Sequence, residues 1–326
     1  MSHELTAREN GTYEFAFAGS RSEIWHGLGQ ELTAGAGLDV WRKEAGMDWN
    51  INTSDLTFTD PDSGVLNYDS KRVLYRSDSK KPLAIVGSGY KVVQPNEVME
   101  FFRSLVEDAG MTLSAAGTIY GGRKFWATAD TGNSVLLNNR KDLMNGYILL
   151  ATSCDGTMAT TATFTSVRTV CNNTLNIALN SSSAKTRVTS SHRSVFKPND
   201  IKGKLGLFES SWDKFAKTME AMTKIKLTAK DAYSCIMQIV CDDAGDPTAT
   251  ELKIVNTIED LYKGGGMGAD LAGKTAYGLL NAVTEFYDYN VGRVPSNKLN
   301  SSFWGQASKS KTAALEFLTA RYEIAV

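Results

Sequence analysis

Residues 268–275 read Gly-Ala-Asp-Leu-Ala-Gly-Lys-Thr, the pattern of a loop whose backbone amides cradle nucleotide phosphates. In such a loop Lys274 would reach the phosphate oxygens and Thr275 would hold Mg²⁺. That chemistry needs a hydrophobic strand before the loop and a helix after it. Leu252, Val255, Ile258 and Leu261 precede it at helical spacing instead. After Lys274 the chain runs only to residue 326, too short and too helical for the further parallel strands of a nucleotide-hydrolysing domain. The expectation is therefore a Gly-rich connection between two helices, with no cofactor.

Two other groupings carry reactive side chains. Cys171 with His26 or His192 has the residue types of a thiol nucleophile and its base. Yet Cys171 follows Val167 and Val170 in an apolar run, the setting of a buried structural thiol. Glu285 and Asp288 are three apart on a helical stretch, so they share a face on which a proton or cation can be held; a solvated helix edge has the same pattern. The four cysteines include no Cys-x-x-Cys pair and the chain has three histidines, so neither a disulfide scaffold nor a zinc site is expected. These groupings give a hydrolase as a third reading only, and the sequence leans away from an enzyme.

Charge is more informative. The 35 Lys and Arg nearly balance the 36 Asp and Glu, for a net charge of −1, but the middle of the chain is basic and the first hundred residues are acidic, with Asp55, Asp60, Asp62 and Asp69 close together. The cations expected to meet phosphates are Arg123 and Lys124 at a hairpin, Arg168 at the end of a strand, and Lys185, Arg187, His192 and Arg193 in a Ser-rich stretch. Lys and Arg release counterions from phosphate, and Tyr120, Phe125 and Trp126 are available to stack on bases. Scattered solubilising charge gives the same pattern. The reading is a nucleic-acid partner, single-stranded DNA favoured, with a host protein as the alternative and a homo-oligomer allowed. An acidic N-terminal stretch can imitate DNA, but here Leu, Phe and Val interrupt the carboxylates.

The elements that would position these residues follow from periodicity. A short helix is expected at 36–47, strands at 49–58, 72–78 and 83–93, and an amphipathic helix at 94–110 whose apolar face is Val98, Phe101, Phe102, Leu105 and Val106. A hairpin turning at Gly121 and Gly122 comes next, then a strand ending near Ser153, a Cys-Asp-Gly-Thr turn, and a strand at 158–170. In that last strand Met158, Ala162 and Phe164 alternate with Thr161, Thr163 and Thr165, so the hydroxyls are expected to face solvent or ligand. Residues 180–200 read as a basic loop. From about residue 203 the period becomes helical, with Thr228 as one cap. The fold class is α+β: an antiparallel-sheet domain over 1–200, then a helical domain over 201–326. No stretch approaches the roughly 18 apolar residues of a membrane span and none reads as a secretory leader, so a cytoplasmic protein without membrane contact is expected.

Five segments together resemble a known family: Trp-His-Gly-Leu-Gly-Gln at 25–30, residues 45–51, 73–97 and 155–175, and Gly-Lys-Thr-Ala-Tyr-Gly-Leu-Leu-Asn-Ala-Val-Thr-Glu-Phe-Tyr-Asp-Tyr at 273–289. The family is domain of unknown function 932, the phage/plasmid-like proteins. The resemblance spans nearly the whole chain and implies a mobile-element origin without an assigned chemistry. Relatives read Gly-Thr-Ala-Trp where this chain has Gly273 to Tyr277, so the lysine of the phosphate-loop pattern is a departure from the family. The order of helix, hairpin, strands and helix is also similar to that of single-strand-annealing recombination proteins, a likeness of topology alone.

Overall fold

The computed structural model describes residues 5–21, 28–33, 35–137, 142–168, 187–205, 209–241, 246–266, 268–290 and 306–324. The chain is a mixed α+β protein in which a strand-rich N-terminal region precedes a helical C-terminal region. Contacts group it into two units, one of residues 1–132, 148–163 and 187–205, the other of 133–147, 164–186 and 206–326.

Two sheets organise the strand-rich region. β1 (Phe15–Ala18), β2 (Gln30–Leu32), β6 (Thr112–Ile119), β7 (Lys124–Leu137), β8 (Asp142–Ser153), β9 (Thr160–Arg168) and β10 (Arg187–Ser190) form one sheet in the order β10-β9-β8-β7-β6-β1-β2. β1 runs parallel to β2 and antiparallel to β6. The second sheet is an antiparallel meander of β3 (Ile51–Asp60), β4 (Gly64–Arg76) and β5 (Pro82–Gly87). α1 (Leu38–Glu44) contributes the buried Trp41. α2 (Pro95–Ala109) begins with a reciprocal cap between Gln94 and Glu97 and ends at the left-handed Gly110. Its Val98, Met99, Phe101 and Phe102 are fully buried.

A buried ion pair ties the N-terminal segment to the second sheet. Arg76 donates two hydrogen bonds to Glu14, at 2.7 and 3.1 Å, and two more to Asp78, at 3.0 and 2.8 Å. Its guanidinium lies 4.2 Å from the Trp49 ring centroid, and Thr118 also donates to Glu14. Nearby, Tyr120, Gly121 and Gly122 all have positive φ, and a Cβ on Gly122 would stand 2.5 Å from the Trp49 ring. The tight turn between β6 and β7 therefore needs glycine there for backbone and space alike.

In the helical unit, α4 (Glu209–Lys224), α5 (Ala229–Val240), α6 (Ala249–Asp260), the short α7 (Ala269–Ala272), α8 (Ala276–Glu285) and α9 (Gln306–Arg321) follow α3 (Pro198–Leu205) of the first unit. All ten residues of α8 are buried, the pattern of a central helix surrounded by others, and α4, α6 and α9 contact it. Thr228 caps α5 and Thr248 caps α6, each in a reciprocal box.

Two local expectations are corrected. Thr161 and Thr163 do not face solvent: Thr160, Thr161, Ala162 and Thr163 are all buried. Their hydroxyls are satisfied internally, Thr160 with Thr152 at 2.7 Å and Thr161 on the Ala159 carbonyl at 2.9 Å, so a threonine face is compatible with a covered strand. Residues 187–190, expected within a loop, form β10, paired with β9 from Arg187↔Thr163 to Ser190↔Thr160. The buried Val188 anchors this short strand.

Candidate nucleic-acid interface

The phosphate-loop pattern closes on itself. It follows helical residues of α6 and their continuation to Gly265, not a strand. Lys274 Nζ donates to the Tyr262 carbonyl at 2.7 Å and lies over the Tyr262 ring. Thr275 caps α8, accepting from the Gly278 amide at 3.0 Å. Both side chains that would meet a nucleotide hold helices together instead.

The acyl-transfer grouping is only partly visible: His26 and Cys171 lie outside the described residues. Glu285 is buried in α8 and not on a solvated edge. Among the described residues no three His, Cys, Asp or Glu come together as metal ligands.

The expected phosphate contacts separate into distinct settings. Arg123 is exposed in the β6–β7 turn. Lys124 is buried, only 7% exposed, and its ammonium lies 5.6 Å from the Tyr120 ring centroid. Burial pushes its pKa below the ordinary lysine value, against an opposing pull from Asp155. Phe125 is fully buried and edge-on to Trp49, so it is closed to bases, while Trp126 packs on Phe15. His192 is buried as well. Its Nδ1 is 3.0 Å from the Lys91 carbonyl and its Nε2 3.1 Å from that of Met158. The imidazole stacks on Tyr90 at 4.6 Å. Lys124 and His192 are thus internal, because each sits where two chain segments close on one another. Arg168 ends β9 and Arg187 begins β10; Lys185 lies outside the described residues. Arg193 is exposed immediately after His192.

His192 closes its segment onto Lys91, beside a cleft that periodicity could not reveal. The Lys91 amide donates to the His192 carbonyl at 2.7 Å, and Tyr90 donates its hydroxyl to the Ser153 carbonyl at 2.9 Å. Burial holds the Tyr90 phenol well above its ordinary pKa, so it remains a donor. Beside this junction lies a cleft of about 270 Å³ lined by residues that include Arg72, Tyr90, Lys91, Gln94, Val195 and Phe196. Arg72 donates one N–H to the Tyr90 carbonyl, while its Nε is buried without a partner among the described residues. Lys91, Arg193 and Lys197 are exposed. Glu97 also lines the cleft, and its carboxylate is held by the Gln94 amide at 2.7 Å. Arg72 and Lys91 are the residues that sequence reasoning missed. Both lie in the acidic first hundred residues, Arg72 next to Lys71, and the segment of Val195 and Phe196 meets Lys91 only by pairing across a hundred residues. The one available signal was their place inside the 73–97 segment and at its border.

The sequence model of the family described as Domain of unknown function (DUF932) matches residues 82–308. No curated protein and no solved structure matches the chain.

Proposed function

The chain belongs to the DUF932 family, whose description assigns no chemistry, and from its own surface we propose a nucleic-acid-binding accessory protein that prefers single-stranded DNA. The observation that carries this reading is the cleft lined by Arg72 and Lys91, which Val195 and Phe196 also line, between the exposed Arg193 and Lys197 in sequence. A net charge of −1 gives no general attraction to polyanions, so binding must come from a local cluster of this kind. A cleft of about 270 Å³ admits an unpaired nucleotide, whereas duplex readers enter a groove with a projecting helix or ribbon. Recombination or replication on a phage or plasmid, in the cytoplasm, fits the family resemblance and the absence of a membrane-crossing helix among the described residues.

The test is direct competition. A labelled single-stranded oligonucleotide bound at low salt should be displaced by unlabelled single strand at lower concentration than by the same sequence as duplex. If neither form binds at low salt, this reading is removed and a host-protein partner is the better one.

A further inference from the structure

The β3–β4 hairpin runs beyond the third strand of its sheet. β5 pairs with β4 only from Lys71↔Gly87 to Tyr75↔Pro82, while β3 and β4 continue through Thr57↔Asn67, Phe58↔Leu66, Thr59↔Val65 and Asp60↔Gly64. A two-stranded ribbon is marginal in water unless one face is covered. Phe58 and Leu66 are cross-strand partners, and Tyr68 is two residues along from Leu66, so the three share one face. They are 50%, 38% and 48% exposed. The other face carries Thr57, Thr59 and Asn67, and also Val65, which is 71% exposed. The face of Phe58, Leu66 and Tyr68 is left largely uncovered by the described residues.

Charge indicates what does. Residues 54–70 contain Asp55, Asp60, Asp62 and Asp69 and no Lys or Arg, which disfavours an anionic membrane or nucleic acid as occupant. At the base of the arm the charge is opposite: Ile51, Thr53 and Arg72 line the cleft together with Val195, which is 65% exposed between the exposed Arg193 and Lys197. Asp60 and Asp62 are at the tip, whereas Asp55 is the cross-strand partner of Arg72 and Asp69 is three residues from it; the tip and the cleft are about 20 Å apart at ~3.3 Å per residue.

We propose that two copies of the chain associate about a two-fold axis through antiparallel arms. In that arrangement the Phe58, Leu66 and Tyr68 faces meet at the centre, and the Asp62 end of each arm lies against Arg193, Val195 and Lys197 of the other copy. Two-fold symmetry repeats each contact and closes the assembly as a dimer. The opposite charges at the two ends select the antiparallel orientation, since a parallel one would place like charges together. The inference does not rest on nucleic-acid binding and is tested without nucleic acid.

Sedimentation velocity of the full chain at low salt, over a hundredfold dilution series, should show a monomer–dimer equilibrium that shifts toward monomer as salt rises. Phe58→Ser with Leu66→Ser should leave a monomer. Asp62→Lys alone and Arg193→Glu alone should each weaken association by about tenfold, and the two together should return it to near the wild-type level. All four sites are exposed, so circular dichroism and melting temperature should stay unchanged and report that each variant is folded. A wild-type chain that remains monomeric would overturn the proposal, and a different protein would then be the occupant of the arm. So would a dimer insensitive to the arm substitutions, or a charge-swapped variant no more associated than either single variant.

Discussion

At the scale of residues, the structure separates cations that merely belong to the basic middle from cations a ligand can reach. Replacing Lys124, which is buried over Tyr120, should lower stability without altering the salt dependence of oligonucleotide binding, measured by anisotropy beside a thermal melt. Cys154 gives a second test. Burial, reinforced by the charge of Asp155, pushes its thiol up to about 12, so at pH 8 the native protein should resist iodoacetamide at Cys154, and mass spectrometry should find it alkylated only after denaturation. Asp78 gives a third. Burial acts to raise its pKa, but hydrogen bonds from Arg76 and the Ser79 amide outweigh it and hold the carboxylate below its ordinary value. A depressed folded pKa contributes stability above the unfolded value, near ~3.9, and that contribution is lost as pH falls through the folded one. Asp78→Asn should therefore flatten the acid limb of a urea-midpoint profile, by a small amount because the group is partly exposed. Which cations were internal was not legible in the sequence. Lys124 and His192 look like surface residues by type, and only the closing of separate segments on them shows otherwise.

At the scale of elements, most of the architecture was legible because it rests on local signals. The apolar face and stop of α2, the Thr228 cap and the Gly121–Gly122 turn each appear where their spacing places them. Two features depend on distant pairing and were hidden. β10 is four residues whose only apolar anchor is Val188, and the arm continues β4 back to Gly64, ahead of the strand expected at 72–78. The link between Glu14 and Arg76 is of the same hidden kind, joining positions 62 apart. Glu14→Ala leaves the guanidinium buried with its bidentate partner gone, and the loss should be about 3–5 kcal/mol in urea unfolding. Gly122→Ala should also destabilise, since at φ +94° its Cβ would strike the Trp49 ring. A variant as stable as the parent would mean that the turn can move away from Trp49.

At the scale of the whole molecule, a nearly neutral chain carries a basic cleft at the root of an acidic, apolar-faced arm. Composition alone showed that charge was uneven, but placed the basic character along one continuous segment; the fold instead draws Arg72 and Lys91 from the acidic first hundred residues into one cleft with Val195 and Phe196, whose sequence neighbours include Arg193 and Lys197. The most direct measurement of the central claim is the salt dependence of single-stranded oligonucleotide binding, by fluorescence anisotropy, for the parent chain and for Lys91→Gln with Arg193→Gln. Each phosphate contact on a single strand contributes about −0.7 to the slope of log K against log salt, so losing two contacts should make the slope shallower by about 1.4 while circular dichroism stays unchanged. An unaltered slope in the double variant would contradict the assignment of the cleft as the nucleic-acid interface.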